Sequence, residues 1–122
     1  MTYQPIEPTG AAYSQAYAVS GPKRFVFVSG QVPEDERGYI PDTFREQCFL
    51  TWQNIETRLK NAGMTLRNIV KITIFLAGRQ YRNENFDVRN EVLGNHQPAM
   101  TIVIAGIYDD QWLLEIEVVA AD

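Results

Sequence analysis

The chain has one cysteine, Cys48, one histidine, His96, and no apolar run near the ~20 residues that a membrane helix needs. A single cysteine excludes an intramolecular disulfide and fits a reducing compartment such as the cytoplasm. A lone histidine with no cysteine or acidic cluster near it in sequence offers no metal-ligand spacing, so no metal and no cofactor are expected. Basic residues are also few: 11 Lys and Arg stand against 15 Asp and Glu, a net charge of -4. Neutralising phosphate with Lys and Arg supplies most of the affinity for nucleic acid, so an acidic chain without a basic run is a poor partner for it. No Gly-rich phosphate loop, no Gly-x-Ser-x-Gly elbow around Ser29, no internal repeat and no low-complexity segment is present. The N-terminus, Met1 to Pro8, lacks the basic start and apolar centre of a signal peptide.

What is there describes one α+β domain over residues 1–122. The chain is 45% hydrophobic and 21% charged, which gives a real core. A domain this small still buries a low fraction of its surface, which favours association. Met1 to Gly10 is Pro-rich and reads as extended. Tyr17–Val19 and Phe25–Val28 read as strands, the second running into Ser29-Gly30-Gln31. A glycine at a strand end permits close backbone approach by a ligand or neighbour.

Thr43 to Ala62 is the clearest helix. Thr43 and Glu46 have capping-box spacing. Phe44, Cys48, Trp52, Ile55 and Leu59 recur at three- and four-residue intervals and share a face. Gly63 suits the left-handed residue that ends a helix. Asn68 to Leu76 reads as a buried strand, and Tyr81 to Leu93 as a second helix with Val88, Val92 and Leu93 inward. From Pro98, two β-branched runs flank Tyr108-Asp109-Asp110-Gln111, a hairpin pattern. The order is β-β-α-β-α-β-β, and the simplest packing is a mixed sheet with both helices on one face.

In the last run, Leu114, Ile116, Val118 and Ala120 point one way, and Leu113, Glu115, Glu117 and Val119 the other. Two carboxylates sharing a face with apolar residues suggest a surface covered by another subunit. One of them would then be partly desolvated, the condition under which a carboxyl handles water. Cys48 on the apolar helix face reads as packing, and His96 as a loop residue.

Several of these segments together resemble the YjgF/RidA family, from about Tyr13 to Ala120. The segments are Tyr13-Ser14-Gln15-Ala16, Ser29-Gly30-Gln31 followed by Pro33, Ala62-Gly63-Met64, Ile69 to Thr73, Pro98-Ala99 and Glu115-Ile116-Glu117. The resemblance implies a chorismate-mutase-like fold, a homotrimer with three clefts between subunits, and imine or enamine deamination. In active members an arginine holds the substrate carboxylate, a glutamate positions water, and a tyrosine and a serine line the cleft. Tyr13, Ser29 with Gly30, and Glu115 stand at matching positions. The arginine position holds Met100, and the cleft cysteine of many members is Ile102. The helix asparagine of many members falls at Phe86, or one residue earlier at Asn85. Methionine cannot make the bidentate, charge-assisted bond of an arginine to a carboxylate. The expectation is therefore a divergent trimer that binds a small, largely uncharged ligand and hydrolyses a C–N bond, or binds without turnover, with imino acids poor substrates. Arg79 and Arg89 are candidates to replace the missing arginine. Ribonuclease activity, ascribed to some members, is disfavoured by the charge.

Overall fold

In the computed structural model, which describes residues 1–122, the chain runs β1 (Thr2–Pro8), β2 (Ser14–Ser20), β3 (Phe25–Gln31), α1 (Phe44–Asn61), β4 (Ile69–Leu76), α2 (Arg82–Leu93), β5 (Ala99–Ile104) and β6 (Leu114–Ala121). Single 3-10 turns, Leu66–Asn68 and Arg79–Tyr81, lead into β4 and α2. The six strands form one mixed sheet in the order β1-β2-β5-β4-β6-β3.

Helix α1 forms as its spacing predicts. Thr43 caps it by accepting the Glu46 N–H at 3.2 Å, but Glu46 returns only to the Thr43 hydroxyl, at 3.0 Å, so half of the capping box is made. At the other end Gly63 has φ +76, and Met64 N–H and Gly63 N–H donate to the carbonyls of Leu59 and Lys60. This is the double closure that a left-handed residue allows. Cys48, Ile55 and Leu59 are completely buried. They share one core with Val88 of α2 and with Ile72, Ile74, Leu114 and Ile116 of the sheet. Burying each large aliphatic side chain contributes about 1.5–3 kcal/mol.

Two expectations about strands are corrected. The extended N-terminus is a strand: β1 pairs antiparallel with β2, from Thr2 opposite Ser20 to Pro8 opposite Ser14. Pro5 and Pro8 argue against a central strand, but β1 is the sheet edge, where a missing N–H is tolerated. The C-terminal pair is not a hairpin. β4 lies between its two strands, parallel to β5 and antiparallel to β6. The connection crosses the end of β4, held by Ala105 N–H to the Leu76 carbonyl (3.0 Å) and Ala77 N–H to the Leu113 carbonyl (2.9 Å). β6 also pairs antiparallel with β3.

Both helices cover one sheet face. The alternation in β6 holds, with Leu114, Ile116, Val118 and Ala120 buried against them. The opposite face has no cover within the chain. It exposes Phe27 by 76% and carries Glu117 and Lys71, whose ammonium donates to the Thr101 hydroxyl at 2.7 Å.

Candidate functional site

The residues singled out in the sequence fall into two places. The first is a depression of about 830 Å³ between α2 and β5. Register puts Met100 opposite Ile72, Ile102 opposite Ile74 and Ile104 opposite Leu76, on the helix-covered face of the sheet. α2 leaves this edge partly open, so Ile102 and Ile104 are each 40% exposed. Tyr13 and Ala11 close one side. Their turn is tied to the start of β5 by Ser14, whose N–H donates to the Pro98 carbonyl (3.0 Å) and whose hydroxyl donates to the Gln97 carbonyl (2.7 Å). Phe86 and Asn85 both line the depression. Phe86 is half-exposed at its mouth, whereas Asn85 is buried.

The depression is also lined by Arg79, Arg82 and Arg89. The sequence has no basic run, yet the fold gathers three guanidiniums here. Arg79 and Arg82 are exposed. Arg89 is only 3% exposed, and its Nε and Nη1 are buried with no hydrogen-bond partner. The Asn85 Oδ1 nearby in the helix is likewise buried and unpartnered. The Arg89 guanidinium lies 5.4 Å from the centre of the Phe86 ring. Burial pushes its pKa below the usual arginine range, against the neighbouring Tyr13 and Cys48, which act in the other direction. Leaving a buried charge without its partner typically costs about 3–5 kcal/mol.

The second place holds Ser29, Gly30 and Glu115. Glu115 stands opposite Phe75 of β4, on the sheet face away from the helices. The Gly30 backbone passes so close that a Cβ on it would overlap the Glu115 carboxylate. The close approach expected of Gly30 is therefore made by this side chain. The ladder between β3 and β6 slips between Val28 and Gln31, and Ser29 is exposed beside that irregularity. A shallow hollow of about 530 Å³ joins Glu115 to Phe75 and to the connection from Ala105 to Tyr108.

Met100 and Glu115 therefore face opposite sides of one sheet. Tyr13, Phe86, Met100 and Ile102 are brought together, and Gly30, with Ser29 next to it in the chain, meets Glu115, but the two sets are not joined within one chain.

The remaining chemistry-bearing residues are structural. Burial pushes the Cys48 thiol up to about 12, and a nucleophile needs the thiolate. His96 is not a surface loop residue. It is buried, its Nε2 is 2.8 Å from the Ile69 carbonyl, and its ring meets Tyr17 edge-on at 6.0 Å. The carbonyl acceptor requires a proton on Nε2, and burial lowers its pKa. No three His, Cys, Asp or Glu side chains are grouped to hold a metal.

Two helices on one face of a mixed sheet, with the other face open, make this a chorismate-mutase-like α+β domain. A family model described as Endoribonuclease L-PSP matches residues 4–122, and the chain belongs to this family, the YjgF/RidA family. It is 34% identical to the mitochondrial protein mmf2 of Schizosaccharomyces pombe, over 93% of this chain and 90% of that protein. It is also 34% identical to a RutC family protein of Pyrococcus abyssi, over 96% and 88%. The crystal structure of yeast Mmf1 matches with a TM-score of 0.77 at 30% identity, covering 99% of each chain. A Rid-family protein of unknown function, YyfB from Yersinia pestis, matches in fold with a TM-score of 0.86 at 19% identity, covering 100% of each chain.

Proposed function

We propose that the chain forms a homotrimer that binds a small molecule in clefts between subunits and hydrolyses an imine-like C–N bond there. The observation that carries this reading is the division of the candidate residues between two sheet faces. One chain supplies apolar walls and guanidiniums, a neighbour supplies Ser29, Gly30 and Glu115, and a closed ring brings them together. The uncovered face with exposed Phe27 is suited to such an interface. In the cleft Glu115 positions the attacking water, and Tyr13 or Ser29 hydrogen-bonds the leaving nitrogen. Met100 makes no charge-assisted bond, so 2-aminoacrylate-like imino acids are not held as active members of the family hold them. The compartment we favour is the cytoplasm, although two of the similar proteins are named as mitochondrial. No helix is long and apolar enough to cross a membrane.

The rival reading is a trimer that binds without turnover, and Met100 speaks for it. Ribonuclease action, which the family description names, draws little support here. The arginine cluster sits in a concave, apolar-walled hollow rather than along a track for a phosphate backbone.

The deciding experiment is an ammonia-release assay on imines generated fresh by an amino-acid oxidase and by an amine oxidase, comparing wild type with Glu115→Gln. Acceleration by the wild type, lost in the variant, supports hydrolysis. No acceleration on either imine series leaves the binding trimer.

A further inference from the structure

We propose that Arg89 is the anion anchor of the depression between α2 and β5, and that its guanidinium takes the carboxylate of a small ligand from α2 rather than from β5. The inference rests on the reading that this depression holds a small molecule, and it reverses the expectation of an uncharged one.

Four observations carry it. Arg89 is 97% shielded from solvent, yet its Nε and Nη1 donate to nothing. Buried polar groups are nearly always satisfied, so two idle donors on a charged side chain mark a place for a partner. The chain supplies none. Its two ion pairs join Arg24 to Asp122 and Arg45 to Glu91, and Arg89 enters neither. Finally, Arg89 lines the hollow together with the exposed Arg79 and Arg82, so the field there attracts an anion.

The shape of the site narrows the anion. A guanidinium presents planar, fork-like donors that match a carboxylate. The walls next to it, Leu76, Met100, Ile102 and Ile104, are apolar. A single charged head on a short hydrocarbon body satisfies both, with the head at Arg89 and the body against β5. A phosphate would engage the guanidiniums but make no use of that apolar wall. The Phe86 ring, stacked near the guanidinium, holds the fork in one orientation and limits what it loses in freedom on binding. Met100 then has a use: it provides wall rather than charge, and the clamp lies one element away.

The test measures binding of 3-methylbutanoate and benzoate to the full chain by ligand-observed NMR and calorimetry, alongside the corresponding amides, which match in shape without charge. Inorganic phosphate is the third probe. The carboxylates are expected to bind roughly tenfold to a hundredfold more tightly than their amides, the worth of a hydrogen bond to a charged group. Arg89→Met should erase that preference, while Arg79→Gln and Arg82→Gln reduce it only a few-fold. Arg89→Met should also leave the melting temperature unchanged or raise it, because it removes an unpaired buried charge. Arg89→Lys, which keeps the charge without the fork, should retain part of the preference, and it serves if the methionine variant does not fold. Equal binding of acid and amide, or a preference that survives Arg89→Met, overturns the anchor but leaves the cleft reading standing. Tighter binding of phosphate than of either carboxylate overturns the assignment of the anion. No binding of any probe overturns both the anchor and the ligand-binding reading of this hollow.

Discussion

The hollow beside α2 and the patch around Glu115 are unlike in almost every physical respect. The first is concave and walled by Leu76, Met100, Ile102 and Ile104, with three guanidiniums and no carboxylate in its lining. The second is shallow and open, built around one carboxylate pressed against a glycine backbone. One has walls and guanidiniums to hold a molecule but no carboxylate. The other has a carboxylate but only a shallow hollow beside it. Each lacks what the other has, and the sheet separates them within a chain. On the proposed reading, a single subunit carries two half-sites and assembly is what completes them.

The strongest way to break this comparison is to keep the subunits apart. Phe27→Asp puts a charge on the uncovered face, where Phe27 is 76% exposed and not part of the core. Light scattering should show monomers with unchanged circular dichroism, and turnover should vanish. Full activity in a monomer would show that one chain suffices. Next in size is Glu115→Gln, which removes the carboxylate proposed to position water. Turnover should fall by about a hundredfold to ten-thousandfold, while ligand affinity at the other half-site changes less than about threefold. A parallel loss of affinity would mean that Glu115 holds the ligand instead.

Gly30→Ala is subtler. The new methyl has no room beside the Glu115 carboxylate, which must shift. Small displacements of a catalytic group cost roughly tenfold to a hundredfold. The expected result is a fall in kcat with KM little changed, and an unaltered kcat would show that the contact between Gly30 and Glu115 does not position the carboxylate.

The smallest effect lies outside both half-sites. Burial holds the His96 imidazole below its ordinary pKa, while in the unfolded chain it titrates near ~6.5. Between those two values the unfolded state binds more protons, so stability is full above the unfolded pKa and declines as the pH falls. The melting temperature should drop by a few degrees between about pH 7.5 and about pH 5.5, and His96→Gln should flatten that slope. A slope unchanged by the substitution would assign the pH dependence to other groups.

Periodicity made much of this legible. The α1 stripe from Phe44 to Leu59 and the inward set from Leu114 to Ala120 are local patterns, and both stand in the structure. Strand partnership is not local. Two β-branched runs around a polar turn look the same whether they pair with each other or admit β4 between them. β1 was hidden by Pro5 and Pro8, which only an edge position excuses. In the site, a glycine at a strand end signalled the close approach that Gly30 makes to Glu115, which strand alternation and the family resemblance had singled out. Arg89 was legible only as one of two candidates, with Arg79, to replace the missing arginine; its burial was not, because an arginine in a helix ordinarily faces solvent. Its place three and four residues after Phe86 and Asn85 was the available signal, since those spacings share a helix face.

The position of β6 has a consequence for how the molecule is made. The last of the six strands to leave the ribosome is inserted between β3 and β4, not added at a border. Until Leu114 to Ala121 are synthesised, β3 has no partner and β4 has one free side, so the nascent chain carries open, β-branched edges. Such edges recruit other chains. The sheet therefore closes only once β6 is available, and a chain stopped short of β6 would emerge as a template for aggregation rather than as a smaller version of the fold.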